Sequence, residues 1–68
     1  MFNRKKFMER IKALKMNVGD VAAKVGMDES TLYRKIKGVS DFSRSEVSMI
    51  SEVLNLNSQQ MCDVFFGD

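Results

Sequence analysis

Side chains suited to covalent or acid–base chemistry are scarce in this chain. It has no histidine and one cysteine, Cys62. No pair of carboxylates marks an evident cleft, so neither an acid–base nor a nucleophilic constellation can be assembled, and an enzyme is not expected. Zinc normally takes several Cys or His ligands, so no metal or other cofactor is expected either. A single cysteine excludes an intramolecular disulfide, and free cysteine usually behaves as a small buried apolar side chain; that is the expectation for Cys62. What remains is the chemistry of charge and hydrogen bonding, concentrated in "DESTLYRKIKG" over residues 28–38. Two acids open this stretch, and three bases close it around a tyrosine. Such a segment can present its bases to a polyanion, or it can be a solvated helix charged to suit its own dipole.

The charge is divided unevenly along the chain. Residues 1–38 hold ten bases against four acids, a net of +6, whereas residues 39–68 hold Arg44 alone against five acids, a net of −4. The positive half suits a polyanion, and the negative half suits something else, such as a second copy. Arg4, Lys5, Lys6, Lys12 and Lys15 can add long-range attraction without touching a partner, although each by itself reads as part of an ordinary solvated face. Apolar residues make up 44% of the chain, enough for a folded globule. The 68 residues are read as one domain with a small core. No apolar run approaches the roughly 18 residues that span a membrane. The opening "MFNRKKFMERIKALK" lacks the uninterrupted apolar stretch of a signal peptide, so a cytoplasmic location is expected.

Five helical patterns hold these side chains in place. The first runs from about Asn3 to Met16, with Phe7, Ile11 and Leu14 on one face. Asn17 offers an N-cap for a short second helix, with Val18, Val21, Ala22 and Val25 apolar, and Gly26 ends it. Asp28 is placed to cap the third, whose stripe is Leu32 and Ile36; Glu29 lies in its first turn, and Gly38 stops it. Val39 or Phe42 pins the following loop. Ser43 and Glu46 form a capping box for the fourth helix, with Val47, Ile50 and Leu54 inward and Met49 and Val53 at the edges. Asn57 caps the fifth, where Met61, Val64 and Phe65 share a face. With no credible strand, the fold class is all-α.

The second and third helices, joined by a tight turn, have helix-turn-helix spacing. Small Ala22 permits a close crossing, Gly26 makes the turn, Met27 plugs the angle, and Leu32 anchors the second helix of the pair. "NVGDVAAKVGMDESTLYRKIKG", with one helix before it and two after, resembles the lambda-repressor and Cro-type helix-turn-helix family (the XRE family). It looks most like the small phage and prophage repressors whose recognition helix ends in a Tyr-Arg-Lys-apolar-Lys-Gly run. "DFSRSEVSMISEVLNLNSQQMCDVFF" is similar to that group's usual ending.

The resemblance implies a compact five-helix, lambda-repressor-like DNA-binding domain over residues 1–68, with the helix-turn-helix at helices two and three. It also implies a sequence-specific transcriptional regulator of repressor or Cro type. The partner would be double-stranded DNA carrying a pseudo-palindromic operator, bound as a homodimer. Carried over by position, Glu29, Ser30 and Arg34 fall where the family reads bases. Arg34, one turn after Ser30, can offer its fork to a guanine O6 and N7, and Glu29 can accept from a cytosine N4. Tyr33 and Lys37 match places that touch the sugar-phosphate backbone, as do Asn17, Ser43 and Arg44. Plainer readings stand beside these: Glu29 as a dipole partner paired with a nearby base, Arg34 as part of a solvated face, Tyr33 as a core-edge aromatic.

Three positions depart from the family pattern. Val18 stands where many members carry a phosphate-clamping glutamine. Ile11 and Ile36 stand where an arginine and a glutamate often pair, so an apolar contact is expected instead. Lys35 stands where a core residue is common and is expected to snorkel outward. Near the end, Phe65 fits the inward stripe. Phe66, about 100° away, is a candidate dimer contact or else packs back on the first helix against Phe2 or Phe7. The alternative function is a protein–protein interaction module that uses the acidic and apolar C-terminal half.

Overall fold

The Asn3 side chain accepts the Lys6 amide at 3.0 Å and so opens the first helix, α1 (Arg4–Ala13). The structure, a computed structural model, describes residues 1–67; Asp68, one of the acids counted above, lies outside them. After α1 come α2 (Val18–Val25), α3 (Glu29–Ile36), α4 (Arg44–Val53) and α5 (Ser58–Phe65). Among the described residues there is no strand, in keeping with the all-α expectation.

Three helix starts are reciprocal capping boxes: Asn17 with Asp20, Ser43 with Glu46, and Asn57 with Gln60. In each, the cap side chain takes one orphan amide and the third helical residue returns a bond to the cap amide. Asp28 departs from its expected role. It occupies the N-cap position of α3, but its side chain makes no capping hydrogen bond and stays exposed.

Four helices end by one device. Lys15, Gly26, Gly38 and Asn55 all take positive φ, at 57°, 70°, 86° and 53°. In each case the next amide reaches back to a carbonyl five residues earlier: Met16 to Ile11, Met27 to Ala22, Val39 to Arg34, Leu56 to Ser51. This is the Schellman arrangement, which satisfies carbonyls that the helix itself leaves open. It also explains why α1 ends at Ala13 rather than near Met16: Lys15 turns left-handed and aims Met16 back at the core.

The core gathers Phe7, Ile11, Val21, Leu32, Ile50 and Leu54, each at most 1% exposed, and Val64 and Phe65 add the share of α5. α2 packs against both α3 and α4, and α1 against α5. Phe2 stacks near Phe7, Phe42 and Phe65, with ring centroids 5.0–5.7 Å apart. The loop before α4 is therefore pinned by Phe42, whereas Val39 is 71% exposed. Val47, expected on the buried face of α4, is only half-buried; Ser51 lies inside instead. The Asn3 amide donates to the Val64 carbonyl, and so the start of α1 is tied to α5.

The caps predict opposite responses at two equivalent positions. Left-handed geometry costs a residue with a Cβ about 1–2 kcal/mol. Lys15→Gly is expected to stabilise the domain by about 0.5–1 kcal/mol, part of the relief being offset by glycine's greater chain entropy. Gly26→Ala is expected to destabilise it by about 1–2 kcal/mol. Urea unfolding of both variants checks the pair, and a drop in the midpoint for Lys15→Gly would contradict this account.

Candidate nucleic-acid interface

α2 and α3 form a unit in which Ala22 and Leu32 are buried and Met27 fills the angle between the helices. Burying Leu32 and Ile36 turns the opposite face of α3 outward. Glu29, Ser30, Tyr33, Arg34 and, just past the helix end, Lys37 are all exposed. The side chains of Tyr33, Arg34 and Lys37 make no hydrogen bond or ion pair among the described residues, which leaves an aromatic and two cations unengaged on one face. Tyr33 is 42% exposed and lies outside the apolar cluster, so it is not a core-edge aromatic.

Glu29 lies in the first turn of α3, where it complements the helix dipole, but the expected pair with a nearby base is not made among the described residues. Its carboxylate lies back across the first turn of α2. A Cβ added at Gly19 would fall 3.0 Å from Glu29 Oε1 and 3.2 Å from Asn17 Oδ1. A side chain here would have to push the Glu29 carboxylate aside by a few tenths of an ångström, so the glycine gives Glu29 its place through close approach rather than through its backbone angles. The fold in this way brings together two expected site residues, Asn17 and Glu29. The Asn17 oxygen is engaged by the Asp20 amide at 2.8 Å, so its amide nitrogen is the group left to face outward. Val18 is 3% exposed and belongs to the core, so it offers nothing to a phosphate.

At the other end of α3, Lys35 turns inward rather than snorkelling out. Its Nζ donates to the Asp41 carbonyl at 2.9 Å and lies 3.3 Å from Glu46 Oε1. The same carboxylate oxygen accepts the Ser43 amide at 2.7 Å. The inward turn has a physical cause: the α3–α4 loop presents a carbonyl and a carboxylate that a Lys stem of this length can reach. One oxygen thereby joins the end of α3 to the cap of α4. The Ser43 hydroxyl serves that cap, so an anion at this place would meet the amides of Arg44 and Ser45, which helix geometry leaves without internal acceptors. Arg44 itself is exposed.

Ile11 and Ile36 both lie in the apolar core, in agreement with the expected apolar replacement. The arginine one place earlier has a role that sequence reasoning missed. Arg10 Nε donates to the Leu54 carbonyl at 2.9 Å and its Nη2 to the Asn55 carbonyl at 3.1 Å, capping the end of α4. No local signal could reveal a bond between residues 44 and 45 positions apart.

Two expectations for α5 resolve differently. Cys62 is exposed rather than buried, because the inward face is taken by Met61, Val64 and Phe65, and residue 62 points away from it. Phe66 does not pack back on α1; it is 64% exposed, while Phe65 fills the place beside Phe2 and Phe42. Phe66 lines one cleft with Lys37 and Phe42 and another with Arg44, Val47 and Met61. Among the described residues, no group of three His, Cys, Asp or Glu is placed to hold a metal, and no helix is long and apolar enough to cross a membrane.

The sequence matches the family model of the Cro/C1-type HTH DNA-binding domain over residues 6–65. No curated protein and no solved structure gives a significant match.

Glu46 carries a pH signature. The Ser43 amide, and then the Lys35 ammonium, hold its carboxyl below the usual glutamate range against the opposing effect of burial. A carboxylate with a lower pKa folded than unfolded contributes its full stabilisation above the unfolded value and loses it as pH falls through the folded one. Glu46→Gln preserves the capping geometry but removes the charge, so it should cost about 0.5–1 kcal/mol at neutral pH. That gap should close as pH falls through and below the ordinary glutamate range. Thermal melts of both proteins across pH would refute the assignment if the gap widened in acid.

Proposed function

The chain belongs to the Cro/C1-type helix-turn-helix DNA-binding family, and on that footing we propose that it is a sequence-specific repressor of phage or prophage kind. It inserts α3 into the major groove and blocks access to the DNA it covers. The observation that carries this reading is the division of α3 between a buried face, Leu32 and Ile36, and an outward face of unengaged hydrogen-bonding groups. Arg34 reads a guanine with its fork, and Ser30 lets the start of the helix approach the base edges. Glu29 accepts from a base only after leaving its rest position against Gly19. Tyr33, Lys37, Asn17, Ser43 and Arg44 hold the sugar-phosphate backbone and so set the register in which the bases are read.

The size of the molecule favours two copies on one operator. Its longest extent is 26 Å, short of the roughly 34 Å that separates successive major-groove faces on one side of the duplex. One copy therefore reads one half-site, and a pseudo-palindrome needs a second. Phe66 is the proposed dimer contact, being an exposed aromatic that shares clefts with Lys37 and with Arg44. A homodimer assembled there keeps both backbone-holding cations close to its seam.

Selection of bound duplexes from a random library, at near-physiological salt, tests the reading function. The native chain is expected to enrich a two-fold symmetric motif. Arg34→Ala should weaken binding to it by about 1–3 kcal/mol and relax the choice at one position in each half. Phe66→Ala should leave half-site reading intact and lower cooperative occupancy of the full motif, measured by mobility shift. Only weak binding, removed by salt equally from every sequence, would leave phosphate attraction alone. Loss of function with Phe66→Ala but not with Arg34→Ala would point instead to a protein-binding module.

A further inference from the structure

Seven residues, 37–43, separate α3 from α4, and both helices pack on α2 rather than closely on each other. The Phe42 ring is seated in the aromatic group with Phe2 and Phe65. The only side-chain hydrogen bond or ion pair that runs directly from α3 to this loop or to α4 among the described residues is made by Lys35. Its side chain is 13% exposed and that of Glu46 is 21% exposed, so the pair is shielded from solvent although both ends are charged. Glu46 Oε1 receives the Ser43 amide and the Lys35 ammonium together, and the Asp41 carbonyl accepts a hydrogen bond from the same ammonium.

The consequence concerns spacing. Base contacts depend on the angle at which the recognition helix lies in the groove, and backbone contacts set that angle. In this chain the proposed base-reading residues stand on α3, whereas Ser43 and Arg44 stand at the start of α4. A fixed distance between the two is needed for a correct half-site to satisfy both sets at once. A loose connection would still permit each set to bind, but a wrong sequence could then be accommodated by a small shift of α3.

We infer that Lys35 is a specificity-determining positioning residue. By joining the end of α3 to the Glu46–Ser43 cap of α4, it locks the recognition helix to the phosphate-holding helix start without itself touching DNA. This inference rests on the DNA-reading function proposed above. It distinguishes Lys35 from its neighbours Arg34 and Lys37, which face outward with no intramolecular partner among the described residues.

The test compares the duplex enriched by the native chain with a scrambled duplex of equal length. Lys35→Met keeps most of the stem and removes the ammonium; Glu46→Gln keeps the cap and removes the charge. Fluorescence anisotropy at a temperature where circular dichroism finds all proteins folded gives the ratio of specific to non-specific affinity. That ratio cancels the general electrostatic cost of losing one cation, and a role in stability alone would not move it. Each variant is expected to lower the ratio by about threefold or more, and the double variant to lower it no further than either single one. Lys37→Met, by contrast, should weaken both duplexes alike and reduce the salt slope by about 1. A ratio that falls by less than about threefold in both clamp variants, measured against a native chain that does discriminate, overturns the positioning role and leaves the reading function standing. A native chain with no preference removes the reading function and the clamp's role with it.

Discussion

A helix of eight residues has four amide hydrogens at its start and four carbonyl oxygens at its end with no partner inside it. Three of the five helices here are that short, and the other two have only ten residues. The structure depends on how these orphan groups are met, because a core this small tolerates few unsatisfied backbone groups near it. Capping boxes meet the starts of α2, α4 and α5, and left-handed residues close the ends of α1 to α4. Three of the four left-handed turns also throw the next apolar side chain inward, the exception being Val39 after Gly38, which stays exposed. Met16, Met27 and Leu56 pack against the core by this route, so capping and burial are achieved by one change of backbone direction.

Where local caps do not suffice, side chains from distant elements are recruited. Arg10 reaches from α1 to two carbonyls at the end of α4, and Lys35 reaches from α3 to the turn before α4. Both bases are thereby drawn away from solvent, and neither belongs to the charge available for a polyanion. The bases left outward from α3 onward are Arg34, Lys37 and Arg44. The net positive charge of the first half thus overstates what the interface can present, because part of it is structural.

The helices and their starts were legible in detail because their signals are local. Asn17, Ser43 and Asn57 cap the helices they were expected to cap, since a polar atom two or three bonds from the backbone answers to its immediate neighbours. The inward stripes of Phe7 and Ile11, Leu32 and Ile36, and Val64 and Phe65 follow from helical period alone. Expectations failed where two elements had to meet. Lys35 was expected outward because Ile36 was read as carrying the packing and a long charged side chain snorkels; the acceptors that draw it inward come from residues 41 and 46. Cys62 was expected inside on the habit of its residue type, but the α5 face that carries it has no neighbouring helix to cover it. Asp28 holds the right position without making the expected bond.

By itself the sequence determined five helices, an all-α fold, the helix-turn-helix unit and the outward set Ser30, Arg34 and Lys37. It could do so because period, caps and turn glycines act over at most one or two helical turns. Only the tertiary structure decided that Glu29 rests on Gly19, that Arg10 closes α4, that Lys35 joins α3 to α4, and that Phe66 stands free. Each of those depends on the crossing of two helices, and a crossing is set by how side chains from the whole core fill one shared volume.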